Sequence, residues 1–139
     1  MIRHIKIGLG CLALMTMLSA CGAMVSPEGE FSSVLRDYTM RLRWKDFPGA
    51  AGHFEPGLRT DFLQQVGGND DLNVVDVVLE SFDFSDGEHR AQTVILLEYY
   101  VLPSATVQRF RLRQQWEYQG ADRYHAGVWR IVSPFPQFP

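Results

Sequence analysis

Residues 92–118 read QTVILLEYYVLPSATVQRFRLRQQWEY, two extended runs joined by a short polar connection. The first run, 92–102, is almost wholly apolar, which is typical of a central strand. The second run, 107–118, alternates apolar with charged or polar residues, the period of a half-buried strand. Because the connection 103–106 is short and begins with proline, the two runs predict an antiparallel hairpin.

Two further strands are predicted on either side of this hairpin. Residues 72–84 are rich in valine and partly alternate, and Asp86-Gly87 marks the turn that follows them. Residues 128–133 form a last short strand, which Pro134 ends because proline has no N–H for the ladder. These four strands predict an antiparallel meander.

Helical periodicity precedes the strands. Asp46 as N-cap and Pro48 in the first turn predict a short helix over 47–54, and Gly67-Gly68 ends another over 58–66. A longer helix begins at residue 31, where apolar residues recur on one face: Phe31, Val34, Leu35, Tyr38 and Leu42. The predicted fold is α+β, with an N-terminal amphipathic helix and short helices packed on a curved four-stranded sheet.

The third strand carries the most distinctive candidate site. Arg109, Arg111 and Arg113 alternate and therefore share one face, and Arg130 on the last strand is placed beside them. One interpretation is a basic surface for an anionic partner such as lipid headgroups, a cell-wall polymer or an acidic protein. The other is a solvated ladder of ion pairs with three acids of the neighbouring strands. Those acids are Asp76, Glu80 and Glu98.

The length of the hairpin connection also predicts the pairing of these arginines. If 103–106 is the whole loop, Glu98 lies opposite Arg111 and Tyr100 lies opposite Arg109. A slip of two residues would change the partners but not the face, because side chains alternate with a period of two.

The first twenty residues have the features of an export signal. Arg3 and Lys6 precede an apolar run over 7–18, which is too short to span a bilayer. Leu18-Ser19-Ala20-Cys21 then resembles the lipobox of bacterial lipoproteins. The resemblance implies cleavage before Cys21 and lipidation of its thiol, with residues 21–30 as a tether and 31–139 as one domain. In families with this motif an aspartate after the cysteine retains the protein in the inner membrane, so Gly22 favours sorting to the outer membrane of a Gram-negative host. The expected location is the periplasmic face of that membrane.

Charge and cysteine content restrict the function of the mature chain. Removal of 1–20 takes away two basic residues and no acid, so the net charge changes from −3 to −5. General binding to nucleic acid, which needs a basic footprint, is not expected. Cys11 lies in the leader, and Cys21 is left without a disulfide partner. His53, His89 and His125 lack the spacing of a metal site, and no cofactor is predicted.

The segments WKDFPGAAGHF (44–54) and VWRIVSPFP (128–136) accompany the long helix and strands. Together they resemble the cystatin-like cone folds, in particular the nuclear-transport-factor-two-like and SnoaL-like group. That group includes isomerases, dehydratases and members without chemistry, so the resemblance leaves activity open. Tyr38 and Trp116 are the candidate residues of a pocket under the first helix, although a half-buried core position is the preferred interpretation of Tyr38, because the inward positions of the strands are apolar and offer no pair of acids opposite it.

Two functions remain open from the sequence. The first is a non-enzymatic binding or assembly module, tethered by lipid, for a partner in the cell envelope. The second is a small-molecule-binding or enzymatic cone with an apolar pocket. Convergent ionisable groups in a pocket would favour the second, and a filled cone with an exposed sheet face would favour the first. The sequence does not indicate an oligomeric state.

Overall fold

The computed structural model describes residues 26–138, so the predicted leader and the lipidation site Cys21 lie outside the described residues. Residues 26–138 form three α-helices followed by four strands, which confirms the α+β prediction. The helices are α1 (Pro27–Arg43), α2 (Phe47–Ala51) and α3 (Arg59–Val66), with a 3-10 turn at Pro56–Leu58 before α3. The strands are β1 (Leu72–Ser85), β2 (Arg90–Val101), β3 (Gln108–Gln119) and β4 (Val128–Ile131).

The four strands form one antiparallel sheet in the order β1-β2-β3-β4, the predicted meander. Register shifts occur in β1 between Val74 and Asp76 and between Leu79 and Ser81. Bulges of this kind bend a strand and increase its twist, so they shape the sheet around α1. The outer edge of β4 is covered, because Ile131 exchanges backbone hydrogen bonds with His53 and Glu55.

The predicted register of the β2–β3 hairpin is wrong by two residues. Glu98 lies opposite Arg109, and Leu96 lies opposite Arg111. The connection is longer than predicted. Leu102 and Val107, the predicted strand ends, lie outside β2 and β3 and are about half exposed. The backbone N–H of Leu102 donates instead to the carbonyl of Asp71. The faces are unchanged, as expected for a slip of two.

Helix α1 begins four residues before the predicted start, within the segment predicted as a tether. The Ser26 hydroxyl accepts a hydrogen bond from the Gly29 N–H at 3.2 Å, and Pro27 occupies the first turn. Serine caps and first-turn prolines both favour a helix start, which explains the earlier boundary. Helix α2 has the predicted cap at Asp46 but ends at Ala51 rather than at residue 54.

The core lies between α1 and the inner face of the sheet. Four residues of the predicted α1 stripe are buried: Phe31, Leu35, Tyr38 and Leu42. They meet the buried side chains of β2 and β3, including Trp116, and the ring of Phe31 lies 4.7 Å from that of Trp129. Trp116 and Trp129 are both buried, at 1% and 2% exposure.

Candidate functional site

The two predicted pocket residues, Tyr38 and Trp116, meet at the centre of the core. Their ring centroids are 5.4 Å apart and nearly perpendicular. The Tyr38 hydroxyl accepts a hydrogen bond from the side-chain amide of Gln114 at 2.8 Å. The Trp116 indole N–H donates to the Thr93 hydroxyl at 3.0 Å, also in the interior. Burial raises the pKa of Tyr38 above its ordinary value, so this phenol stays neutral.

These contacts correct the pocket prediction. Tyr38 and Trp116 are 0% and 1% exposed, and the side chains of Gln114 and Phe54 occupy the space beside Tyr38. An aromatic core packed in this way holds the two residues through burial and edge-to-face contact. The partner of Tyr38 is a neutral amide, and no pair of acids converges on it. The arrangement fits a packed core and not an open ligand site.

A polar network that the sequence did not predict lies at the outer side of α1. The His53 network comprises His53, Asp37, Arg41 and Asp46. His53 Nε2 lies 2.8 Å from Asp37 Oδ2, and Arg41 bridges Asp37 and Asp46 with two contacts of 2.6 Å. Asp46 also caps α2 by accepting from the Gly49 N–H. The network therefore ties α1 to the start and end of α2.

The protonation states within the His53 network follow from burial and from Arg41. Burial lowers the pKa of His53, against the opposing effect of the hydrogen bond that His53 donates to Asp37. The hydrogen bond from Arg41 lowers the pKa of Asp37 despite some desolvation. A neutral His53 then donates its Nε2 proton to an ionised Asp37. Asp37 and His53 are sixteen residues apart in different elements, so no periodic signal could have paired them.

On the outer face, the side of the sheet turned away from α1, two arginines have carboxylate partners. Arg109 Nε lies 2.8 Å from Glu98, its neighbour on β2. Arg111 reaches across β2 to Glu80 on β1 and binds both carboxylate oxygens, at 2.6 and 2.9 Å. The hydrogen bond from Arg111 lowers the pKa of Glu80. For Arg109 and Arg111 the structure supports the ion-pair interpretation.

The other two arginines of the predicted stripe behave differently. Arg113 shares the outer face but forms no ion pair with any residue in the range 26–138. Arg130 lies opposite Glu117 on the same face, but its guanidinium donates to the backbone carbonyl of Gly52. Asp76, the third predicted acid, lies 3.5 Å from Arg43 of α1 instead. Arg113 is therefore the member of the stripe that remains open to an external anion.

The surroundings of Arg113 combine apolar and uncharged polar groups. A shallow depression of about 220 Å³ beside it is lined by Gln92, Val94, Gln115 and Ser133. The neighbouring outer-face residues Val94 and Leu96 are half-buried, and Val78 on β1 is exposed. Aliphatic side chains bordered by arginines are typical of protein-binding surfaces, where arginine is enriched.

Other kinds of site are not found in the part of the chain that the structure describes. No cluster of three or more histidine, cysteine, aspartate or glutamate side chains there is arranged to hold a metal. None of the helices described between residues 26 and 138 is both long enough and apolar enough to cross a bilayer.

Comparison with known proteins adds little to this geometry. No family model matches the chain, and no curated protein matches it. The chain is similar to the solution structure of RPA3114, a SEC-C motif containing protein from Rhodopseudomonas palustris. The match has 16% identity and a TM-score of 0.48, and it covers 84% of this chain and 82% of that one. At that score the likeness supports no functional conclusion.

Proposed function

We propose that the chain is a lipid-anchored binding module of the cell envelope that contacts a partner through the outer face around Arg113. The lipobox Leu18-Ser19-Ala20-Cys21 supports the anchor, and the Gly22 position supports the periplasmic face of the outer membrane. The observation that supports the binding role is the contrast between a packed interior and an exposed outer face, on which Arg113 forms no ion pair within residues 26–138. The cone-like architecture is part of the same proposal.

The balance of charges on the outer face supports a protein partner. Arg109 and Arg111 are held by Glu98 and Glu80, so their charges are largely compensated within the sheet. Arg113 adds one uncompensated donor group beside half-buried aliphatic residues. Such a surface fits a carboxylate on a mainly apolar partner better than a polyanion, because a polymer would require several free cations in a row.

Site-specific photocrosslinking in the native envelope tests the binding role. A photoreactive residue at Gln92, which lines the depression beside Arg113, should give a discrete adduct. The same residue at Gln64, exposed on α3, is the matched control and should not. Arg113→Glu should abolish the Gln92 adduct, whereas Arg36→Glu on exposed α1 surface should preserve it. Equal adducts from both positions would contradict the proposal, and an adduct of twice the chain mass would identify a second copy as the partner.

Acyl labelling tests the anchor separately. Lipidation requires the thiol of Cys21, so Cys21→Ser should leave the precursor uncleaved and without labelled fatty acid. Cys11→Ser removes the other cysteine and should be processed normally. If the Cys21→Ser chain still incorporates fatty acid, the lipoprotein proposal is wrong.

A further inference from the structure

We propose that the loop 120–127, which joins β3 to β4, lies against the phospholipid headgroups and orients the membrane-proximal end of the domain on the bilayer. Tyr124 is the contact residue at the tip of this loop. The inference rests on the proposed lipid anchor and adds to it a specific surface and orientation.

The distance from the anchor to the fold limits the possible orientations. Only residues 22–25 separate Cys21 from Ser26, the N-cap of α1. Even a fully extended chain spans at most about 18 Å over those five steps. The strands are much longer, because the twelve residues of β2 extend over about 40 Å. The end of the domain where α1 begins must therefore stay near the membrane.

Three contacts identify the loops at that end. The indole N–H of Trp129 donates to the Pro27 carbonyl at 2.9 Å, so β4 starts beside the start of α1. Trp129 is opposite Tyr118, one pair before the loop 120–127. Phe31 of α1 packs on Phe84, just before the β1–β2 turn at 86–89. The connection 102–107 is at the opposite end of the sheet.

The loop 120–127 presents Tyr124 on a prearranged turn. Asp122 Oδ1 accepts from the backbone N–H groups of Tyr124 and His125, at 2.7 and 2.8 Å. The Asp122 N–H in turn donates to the His125 carbonyl. The Tyr124 side chain is 83% exposed, and Val128 nearby is 47% exposed. Tyrosine is enriched at the headgroup level of membranes, because its ring is apolar and its hydroxyl is polar.

The charges at the membrane-proximal end of the domain favour contact with a zwitterionic layer of lipid headgroups. Arg123, next to Tyr124, can bind a lipid phosphate. Five carboxylates also lie at this end, in the first turn of α1, in the β1–β2 turn and in the loop itself: Glu28, Glu30, Asp86, Glu88 and Asp122. A strongly anionic membrane would repel them, whereas a zwitterionic headgroup layer offers phosphate to Arg123 without a large net negative field.

Paramagnetic relaxation in vesicles tests this orientation. The native Cys21 thiol is consumed by acylation, so an introduced cysteine is the only free thiol of the mature lipoprotein. Nitroxide labels at Ala126→Cys and at the distal, exposed Ser104→Cys are compared in phosphatidylcholine vesicles containing a gadolinium-chelate lipid. The label at 126 should relax several-fold faster than the label at 104. Adding Tyr124→Ser should slow the relaxation of the label at 126 but keep it faster than that of the label at 104, because the tether still holds this end near the membrane. Val107→Ser, an exposed change at the far end, should leave the relaxation of both labels unchanged.

The outcomes separate the two proposals. If the purified chain carries no acyl group, both the anchor and the orientation are wrong. If the chain is acylated and vesicle-bound but the labels at 126 and 104 relax equally, the orientation is wrong and the anchor stands. If 126 relaxes faster and Tyr124→Ser has no effect, the loop faces the membrane only because of the tether, and the role given to Tyr124 is wrong.

Discussion

Gln114 and Tyr38 form a polar contact inside an aromatic core. Gln114 is 2% exposed, and its Oε1 has no hydrogen-bond partner among the described residues. Its Nε2 donates to the Tyr38 hydroxyl. Removal of one partner of a buried hydrogen bond leaves the other unsatisfied, which costs about 1–3 kcal/mol. Removal of both partners by apolar groups of similar shape can be nearly neutral.

Tyr38→Phe should therefore lower the free energy of unfolding by about 1–3 kcal/mol, because the Gln114 amide loses its partner. The double change Tyr38→Phe with Gln114→Met should cost less than Tyr38→Phe alone. Urea unfolding of the parent, of the single variants Tyr38→Phe and Gln114→Met, and of the double variant measures the non-additivity of the two changes. A double variant as unstable as the sum of the two single changes would show that the pair contributes no coupling.

His53 gives the stability of the fold a dependence on pH. Its folded pKa is lowered by burial, whereas an unfolded histidine titrates near 6.5. Above about pH 6.5 the His53 imidazole is neutral in both the folded and the unfolded chain, so it makes no contribution to the pH dependence of stability. As the pH falls below that value the unfolded chain gains a proton first, so stability decreases until the lowered folded pKa is passed.

His53→Gln should flatten the stability profile just below about pH 6.5, where the unfolded parent chain gains the histidine proton, since glutamine does not titrate. The parent chain and His53→Gln are compared at the same pH values. Thermal melts at several pH values measure both profiles. Below this range the lowered pKa of Asp37 predicts a further loss as its carboxylate is protonated. An unchanged slope in His53→Gln would contradict the role of burial.

At the scale of elements, the start of α1 depends on Ser26. Its hydroxyl satisfies one of the free N–H groups of the first turn, a contact whose loss costs about 0.5–2 kcal/mol. Ser26→Ala should lower the unfolding free energy by about 1 kcal/mol. Ser32→Ala makes the same chemical change at an exposed position within α1 and should be neutral or slightly stabilising, because alanine favours helix. Equal effects of the two changes would mean that the cap is unimportant.

The cross-strand pairs of the outer face should contribute little to stability. Glu80 and Arg111 are solvated, and exposed ion pairs are screened by water and salt. Arg111→Ala should therefore leave the melting temperature almost unchanged, and Arg113→Ala, which breaks no pair, should behave alike. A clear loss of stability in Arg111→Ala alone would show that the bidentate pair with Glu80 holds β1 in place.

For the whole molecule, the aromatic core is the main source of stability. Trp116 is buried against Phe31 and Tyr38, whereas Trp44, at the end of α1, is 76% exposed. Trp116→Ala should cost about 3–5 kcal/mol, a large part of the stability of a small domain. Trp44→Ala should change the unfolding free energy by at most about 0.5 kcal/mol. Denaturant unfolding followed by circular dichroism compares the two, and similar losses would contradict the assigned core.

The periodic pattern of the chain by itself determined the α+β order, the buried stripe of α1 and the face of each strand. These features follow from the helical period of 3.6 residues and the strand period of 2 residues, which can be recognised within a short stretch of sequence. The sequence also contains the lipobox around Cys21, whose lipidation remains a prediction. Strand alternation also determines the shared face of Arg109, Arg111 and Arg113 and the inward position of Trp116. These faces do not change when the register shifts by two residues.

Only the tertiary structure decided the partners. Arg111 binds Glu80, His53 binds Asp37 and Gln114 binds Tyr38, and each pair joins residues of different elements. Such pairings depend on the length of the hairpin connection, on bulges in β1 and on where α2 lies against α1. None of these has a periodic signal, because a side chain's face is fixed by its own strand or helix, whereas its neighbour is fixed by how distant segments approach one another.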